Sequence, residues 1–474
     1  MSARTFDADY LVIGTGPTAV AAISKLIESG RKIYVIDAGS TDNTLRRNQF
    51  KLKEETKHLK SFDGSYDDYF AHEYSSVKYE DGLIARASNF PGGFSRVWGA
   101  THAGFDSSYD WPINAIPSKS DQMGLDAIMK QTQILPTLAS EKIREKFDQV
   151  SIGTWTSMDA YSASAHEHIS NSQTLVQSTL ENQKSSSSTN ENWQSFPLVI
   201  DWVNRGKIKL YSENFVLHCG QYDERVVVQA VDKNGIVNVF TGKRLILAAG
   251  PIGTAQILVQ SKILKSLEVL DCPTAFGGFV TLNRKSSNSV NSSMNSQWWA
   301  QEKDVGGLFA QFYQPSVLNQ SRIHSELPIF LRLKVISRWL ASHTVPIVIY
   351  SPQTNAESLR ITKNSADEIT IESNPSVEMR AEFKSRLKDL AKLLRKAGFI
   401  AAPAGFRIAN TGSGFHSGCS LPLNKRTSRL GCLPGLDRIH IVDTSVLPHL
   451  KVGPITTIAM LNAIRISTEV IGTE

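Results

Sequence analysis

Short apolar runs and amphipathic stretches alternate from the start of this chain. Tyr10 to Ile13 and Ile33 to Ile36 are continuous apolar runs, the pattern of strands buried on both faces of a parallel sheet. Between them Val20, Ile23, Leu26 and Ile27 recur at helical spacing over roughly Thr18 to Ser29, and Gly30 stands where a helix C′ glycine is expected. Tyr109 to Ile113 reads as a turn into a helical region, and residues 116 to 192 carry little pattern beyond the low-complexity loop 183 to 192. Strand patterns return from Leu198, through Ile208 to Tyr211, Phe215 to Leu217 and Arg225 to Ala230. The run Leu245 to Leu247 ends in a glycine turn with a helix after it, Ile439 to Val442 is another buried strand, and a helix follows from Thr456. Residues 281 to 404 read differently: Leu308 to Tyr313, Pro346 to Tyr350, Ser358 to Thr362 and Glu368 to Glu372 are strands separated by polar turns. The Ser/Asn-rich 285 to 296 before them reads as a loop, and Glu378 to Ala397 as a solvated packing helix.

The first strand, helix and second strand enclose a glycine motif. Gly14 and Gly16, followed by Pro17, Thr18 and Ala19, allow a tight turn and close backbone approach, with Ala19 at the small position where helix meets strand. Helix N–H groups and the positive dipole end then point at a phosphate. Asp37, followed by Ala38, ends the second strand, where a carboxylate accepts the hydroxyls of an adenosine ribose and repels a 2′-phosphate. This predicts a dinucleotide site without choosing between NAD and FAD; a βαβ unit with no ligand is the alternative. A second glycine-rich stretch has Gly92, Gly93 and Gly99 around Ser95 and Trp98, a loop whose backbone can lie flat against a large planar ligand.

At 474 residues, two domains are expected. The net charge of +6 is spread along the chain without a basic run, which argues against nucleic acid as a partner. Cys219, Cys272, Cys419 and Cys432 have no metal-ligand spacing and read as reduced thiols; no metal is expected. No leader pattern precedes the first strand and no run of 18 uncharged apolar residues occurs, so a cytoplasmic location is expected. Pro328 to Leu340 combines a broad apolar arc with Arg332, Lys334 and Arg338. That pattern fits core packing or peripheral contact with the inner face of a membrane.

The block Phe90-Pro-Gly-Gly-Phe-Ser-Arg-Val-Trp-Gly-Ala100 with the later Asp110-Trp-Pro112 resembles the second signature of the glucose–methanol–choline (GMC) oxidoreductases. Residues 411 to 422 and 439 to 466 resemble that family's C-terminal signature, and the nucleotide motif upstream occurs in the same order. The resemblance implies an α/β fold: a Rossmann-like FAD-binding domain, of the GMC and glutathione-reductase-like type, formed by 1–115, 195–280 and 405–474. A second, α+β substrate domain with an antiparallel sheet would comprise 116–194 and 281–404. It implies FAD rather than NAD, with the Gly-Gly loop beside the flavin, Val216 at the adenine, and Ala248, Ala249 and Gly250 near the diphosphate. Asp443 would bind ribityl or phosphate-linked groups. Gly453, Pro454 and the helix starting at Thr456 would face the flavin N1–C2=O edge, where a positive dipole end stabilises the anionic reduced ring. The FAD is expected to be non-covalent, since Arg96-Val97 stand where some members carry the attaching histidine.

By the same resemblance His416 is the catalytic histidine, and imidazole suits removal of a hydroxyl proton near neutral pH. The expected activity is oxidation of a small-molecule alcohol, a sugar, sterol or other CH–OH donor, by hydride transfer to flavin, with an unknown electron acceptor. The family usually supplies a second His or Asn where this chain has Gly453. His449, four residues earlier, is a candidate substitute; a hydroxyl of Thr456 or Thr457, or His416 alone, are the alternatives. Gly453 favours one rival reading, a lyase or hydratase on the same fold; a second is a non-catalytic relative that binds FAD for stability or acts in an assembly, at a membrane surface through Pro328 to Leu340. His102 and His440 have no comparable context and read as structural.

Overall fold

Alternation along the central strands divides their side chains between two cores. The computed structural model describes residues 4–40, 77–80, 83, 87–96, 98, 101–102, 109–133, 138–164, 193–281, 296–304, 306–313, 334–351, 357–366, 368–401 and 405–473. Val97 and Gly99, the loops 183–192 and 285–295, and residues 328–333 lie outside them. The protein is a mixed α/β structure with parallel and antiparallel sheets.

Five parallel strands form the central sheet in the order Ile439–Ile441, Arg244–Leu247, Tyr10–Ile13, Ile33–Ile36, Lys209–Tyr211. Leu11, Ile13, Tyr34, Ile36, Leu245 and Leu247 enter one core, against the helix Gly250–Gln260 and a four-stranded sheet. Their neighbours Tyr10, Val12, Ile33, Val35 and Ile246 enter the other, against the helices Pro17–Leu26, Lys119–Ile128, Ser195–Asn204 and Thr456–Gly472. Burial on both faces explains why these strands are apolar throughout. Full burial of each such side chain stabilises by about 1.5–3 kcal/mol before the entropy of ordering it. Pairing aligns Ile13 with Ile36 and Leu247, and Leu247 with Ile441. The residues that follow, Gly14, Asp37, Ala248 and Val442, therefore leave the sheet at one edge.

A seven-stranded sheet stands against that edge, ordered Ile400–Ala401, Thr274–Val280, Thr344–Tyr350, Phe309–Tyr313, Ser296–Glu302, Trp155–Asp159, with Arg407–Ile408 also on Thr274–Val280. Its pairs are antiparallel. Helices Leu138–Val150 and Val377–Lys396 cover one face. The other face supplies Trp299, Phe309, Tyr313 and Tyr350, which pack with Ile455, Ile458 and Ala459 at the start of the last helix.

Three expectations change. The apolar stretch beginning at Leu198 lies in the helix Ser195–Asn204, where Phe196 and Val199 are buried one turn apart. Strand Thr274–Val280, expected with the nucleotide half, is central to the antiparallel sheet. Helix Lys119–Ile128, expected with the substrate half, puts Leu125 and Ile128 into the core beneath Pro17–Leu26. Of the segment 328–340, the described helix is Lys334–His343, with Val335 78% and Trp339 42% exposed and Leu340 buried. Among the described residues no helix is long and apolar enough to cross a membrane.

Candidate functional site

The shared strand edge opens on a cavity of about 280 Å³. Gly14, Gly16, Pro17, Thr18 and Asp37 line it from the first βαβ unit, and Gly93, Ser95 and Trp98 from the second glycine loop. Ala249 and Gly250, Asp443, and Pro454 with Thr456 close the remaining sides, while Gln311, Tyr313, Tyr350 and His416 form the far end. A neighbouring cavity of about 110 Å³, lined by Gly14, Asp37, Ala38, Val216 and Ala249, continues it past the carboxylate.

Three helices begin at this cavity, Pro17–Leu26, Gly250–Gln260 and Thr456–Gly472, and none has a hydrogen bond from its N-cap side chain. Of the helices whose starts do not line it, Lys119–Ile128 and Val377–Lys396 are capped by Ser118 and Ser376, and Ser195–Asn204 has no side-chain cap. Uncapped first-turn N–H groups and three positive dipole ends make the cavity receptive to an anion. Gly14 has φ +102°, and a Cβ there would lie 2.4 Å from the Ala248 carbonyl oxygen, so only glycine fits. A Cβ on Gly16 or Gly250 would meet nothing within 4 Å, though the Gly250 N–H already serves the Asp443 carboxylate.

Two buried carboxylates face this cradle. Asp37 Oδ2 accepts from the Thr15 hydroxyl at 2.7 Å and Oδ1 from the Gly39 N–H at 2.8 Å; burial pushes its pKa up to about 6. Asp443 accepts from the Thr254 hydroxyl and from the Ser445 N–H at 2.9 Å, and burial raises its pKa as well. No Lys or Arg is among the described residues lining the cavity.

The sequence did not reveal what joins the two glycine loops. Thr15 Oγ1 donates to Asp37 and accepts from the Gly92 N–H at 2.8 Å. Ser195 Oγ bonds the Thr15 carbonyl at 2.9 Å, Ser95 Oγ donates to the Gly92 carbonyl at 2.7 Å, and the Ser195 N–H donates to Ser95 Oγ at 3.0 Å. Trp98 Nε1 donates to the Trp193 carbonyl at 2.8 Å. Gly92 thus serves as the junction of this network, and Ala19 is fully buried in the helix–sheet core.

At the far end, the His416 ring stacks on Tyr350, with centroids 4.5 Å apart and planes 17° apart. It is 9% exposed, its Nδ1 has no hydrogen-bond partner among the described residues, and burial holds its pKa down to about 4. The imidazole is therefore neutral near pH 7 and can accept a proton. His449 is elsewhere: its ring stacks on Tyr109 at 4.4 Å, its carbonyl accepts from Tyr109 Oη at 2.7 Å, and it does not line the cavity. Nor does Gly453, whose φ is +111° and whose Cβ would meet the Phe309 ring at 3.2 Å. His440 is fully buried in contact with Leu430 and Cys432. Among the described residues no cluster of three or more His, Cys, Asp or Glu could hold a metal.

The cavity thus joins an anion cradle, a hydroxyl-accepting carboxylate and a neutral imidazole. No protein-family model matches this chain, and no curated protein matches it.

Proposed function

We propose that the protein is a FAD-dependent oxidoreductase that removes a hydride from a CH–OH group of a small molecule, with His416 as base. One observation carries this reading: three helix N-termini without side-chain caps, Asp37 and a neutral imidazole line a single cavity. The residues present suit a non-covalent FAD in a Rossmann-like domain. Asp37 would take the ribose hydroxyls, and the chain around Val216 the adenine. Backbone N–H groups at the start of the helix Pro17–Leu26 would take the diphosphate, whose charge then rests on dipoles rather than on Lys or Arg. The start of the Thr456 helix would favour negative charge at the ring end, with the Gly93 to Ser95 turn and Trp98 against the flat ring.

When bound, FAD supplies a two-electron acceptor for hydride. The chain supplies the rest. His416 takes the hydroxyl proton; its burial keeps it unprotonated at neutral pH.

Purified protein is expected to be yellow and to release FAD on mild denaturation. Anaerobic addition of an uncharged alcohol substrate should bleach it, and His416→Ala should slow bleaching by about 10²–10⁴-fold without loss of flavin. A colourless protein that binds NADH would overturn the cofactor, and unchanged bleaching in His416→Ala would overturn the base.

A further inference from the structure

We infer that Gln311 shares the substrate oxygen with His416, as the hydrogen-bond donor that holds it while the imidazole removes its proton. This rests on the reading of the site as an alcohol-oxidising flavin centre. Along strand Phe309–Tyr313 side chains alternate, so Phe309, Gln311 and Tyr313 share a face. Phe309 packs against Gly453, while Gln311 and Tyr313 line the cavity beside Tyr350 and His416.

Gln311 is 4% exposed. Its Oε1 accepts from Tyr313 Oη at 2.8 Å, and Tyr350 Oη approaches the same atom at 3.5 Å. Those hydroxyls fix the amide and leave its Nε2, a group with two N–H donors, with no partner among the described residues. At His416 the unpartnered Nδ1 is buried, and Nε2 is the ring nitrogen left to face the cavity. Both side chains line the same end of the cavity, and Tyr350 touches both, by its ring to one and its hydroxyl to the other. Gln311 Nε2 is not a buried atom and opens on the cavity, where a ligand can meet it.

The chemistry needs such a donor. As the O–H bond breaks, its proton goes to the His416 imidazole. The C–H bond breaks with its electron pair, which leaves as hydride to the bound FAD, and the C–O bond becomes a carbonyl. Negative charge builds on oxygen between these events, and a fixed N–H aimed at that oxygen stabilises it more in the transition state than before. A primary amide does not take up the proton itself, so the two residues divide the work. Tyr313 and Tyr350 are positioning residues for the amide.

The test uses the flavin-loaded protein. Gln311→Glu keeps an acceptor for the two tyrosines and replaces the donor with an oxygen; Gln311→Leu removes both. With flavin content equal to the parent, each should lower the rate of anaerobic flavin reduction at saturating alcohol by about 100-fold, screened over uncharged primary and secondary alcohols. Tyr313→Phe should lower it less. A second readout needs no turnover: ¹⁹F NMR titration with 2,2,2-trifluoroethanol should show several-fold weaker binding in both Gln311 variants. A fully loaded Gln311→Glu that reduces at the parental rate and binds the probe equally would overturn the role of Gln311 and leave the flavin reading intact. If the parent holds no flavin, or no alcohol bleaches it, the flavin reading falls and this inference falls with it.

Discussion

Burial is the common condition of the titratable side chains at the site, and it sets their pH response. His416 and His440 are each pushed down to about 4 by burial, below the 6.5 of an exposed imidazole. Between those values the unfolded chain binds more protons than the folded one, so their contribution is full above about pH 6.5 and is lost as pH falls toward 4. Asp37 has the opposite sign: pushed up to about 6, it costs stability as pH rises from 3.8 through 6. Asp443, also raised by burial, acts with Asp37, so the carboxyls oppose the histidines and the histidine part is isolated by substitution. His416→Phe keeps the stack on Tyr350 and removes the titration. Its unfolding free energy, by urea denaturation, should fall less steeply than the parent's between pH 6.5 and 5, by up to about 1.4 kcal/mol per pH unit. Parallel slopes would mean that His416 titrates normally in the folded protein.

Strands and helices were legible in proportion to how far their own residues decide them. Tyr10–Ile13, Ile33–Ile36, Arg244–Leu247 and Ile439–Ile441 could be read because burial on both faces demands an unbroken apolar run. Ser195–Asn204 was misread because Leu198, Val199 and Ile200 make an apolar run that suits a buried strand as well as a buried helix. Gly14 stood out because backbone geometry restricts its position to glycine, and Asp37 because a carboxylate ends the strand that follows the glycine turn and helix. Thr15, Ser95, Ser195 and Gln311 could not be connected, since hydroxyl and amide bonds between distant elements leave no periodic trace. The Thr15 bridge is open to a direct test. Thr15→Val keeps the shape but strips Gly92 of its acceptor and Asp37 of a donor, and should cost about 1–3 kcal/mol in urea denaturation. Thr15→Ser, which restores both bonds, should recover most of that; equal stability of the valine variant would show that the glycine loops do not depend on the bridge.

At the scale of the whole molecule the cavity gathers residues from nearly the full span of the described chain, from Gly14 to Thr456. The division into parallel and antiparallel sheets was legible, but not which strands fall on each side: the chain is in the antiparallel sheet at Trp155–Asp159 and returns to it at Thr274–Val280, within a stretch expected with the parallel one. A ligand that touches all these segments stabilises only the folded state. Stripping FAD and restoring it should therefore lower and then recover the melting temperature, with a gain of about 4 kcal/mol at a free concentration 1,000 times Kd. NAD at the same concentration should not substitute. A melting temperature indifferent to FAD would count against a ligand spanning the two sheets.

The order of strands in the central sheet also sets a timetable for a newly made chain. Arg244–Leu247 finds one neighbour, Tyr10–Ile13, already synthesised, but the other, Ile439–Ile441, comes about 190 residues later, a wait of about 10–40 s at 5–20 residues per second. During that interval the apolar strand presents a bare edge, and a bare apolar edge is where chains join one another wrongly. Ribosome pausing between these strands would lengthen that exposure and lower the yield of folded protein, whatever the stability of the finished molecule.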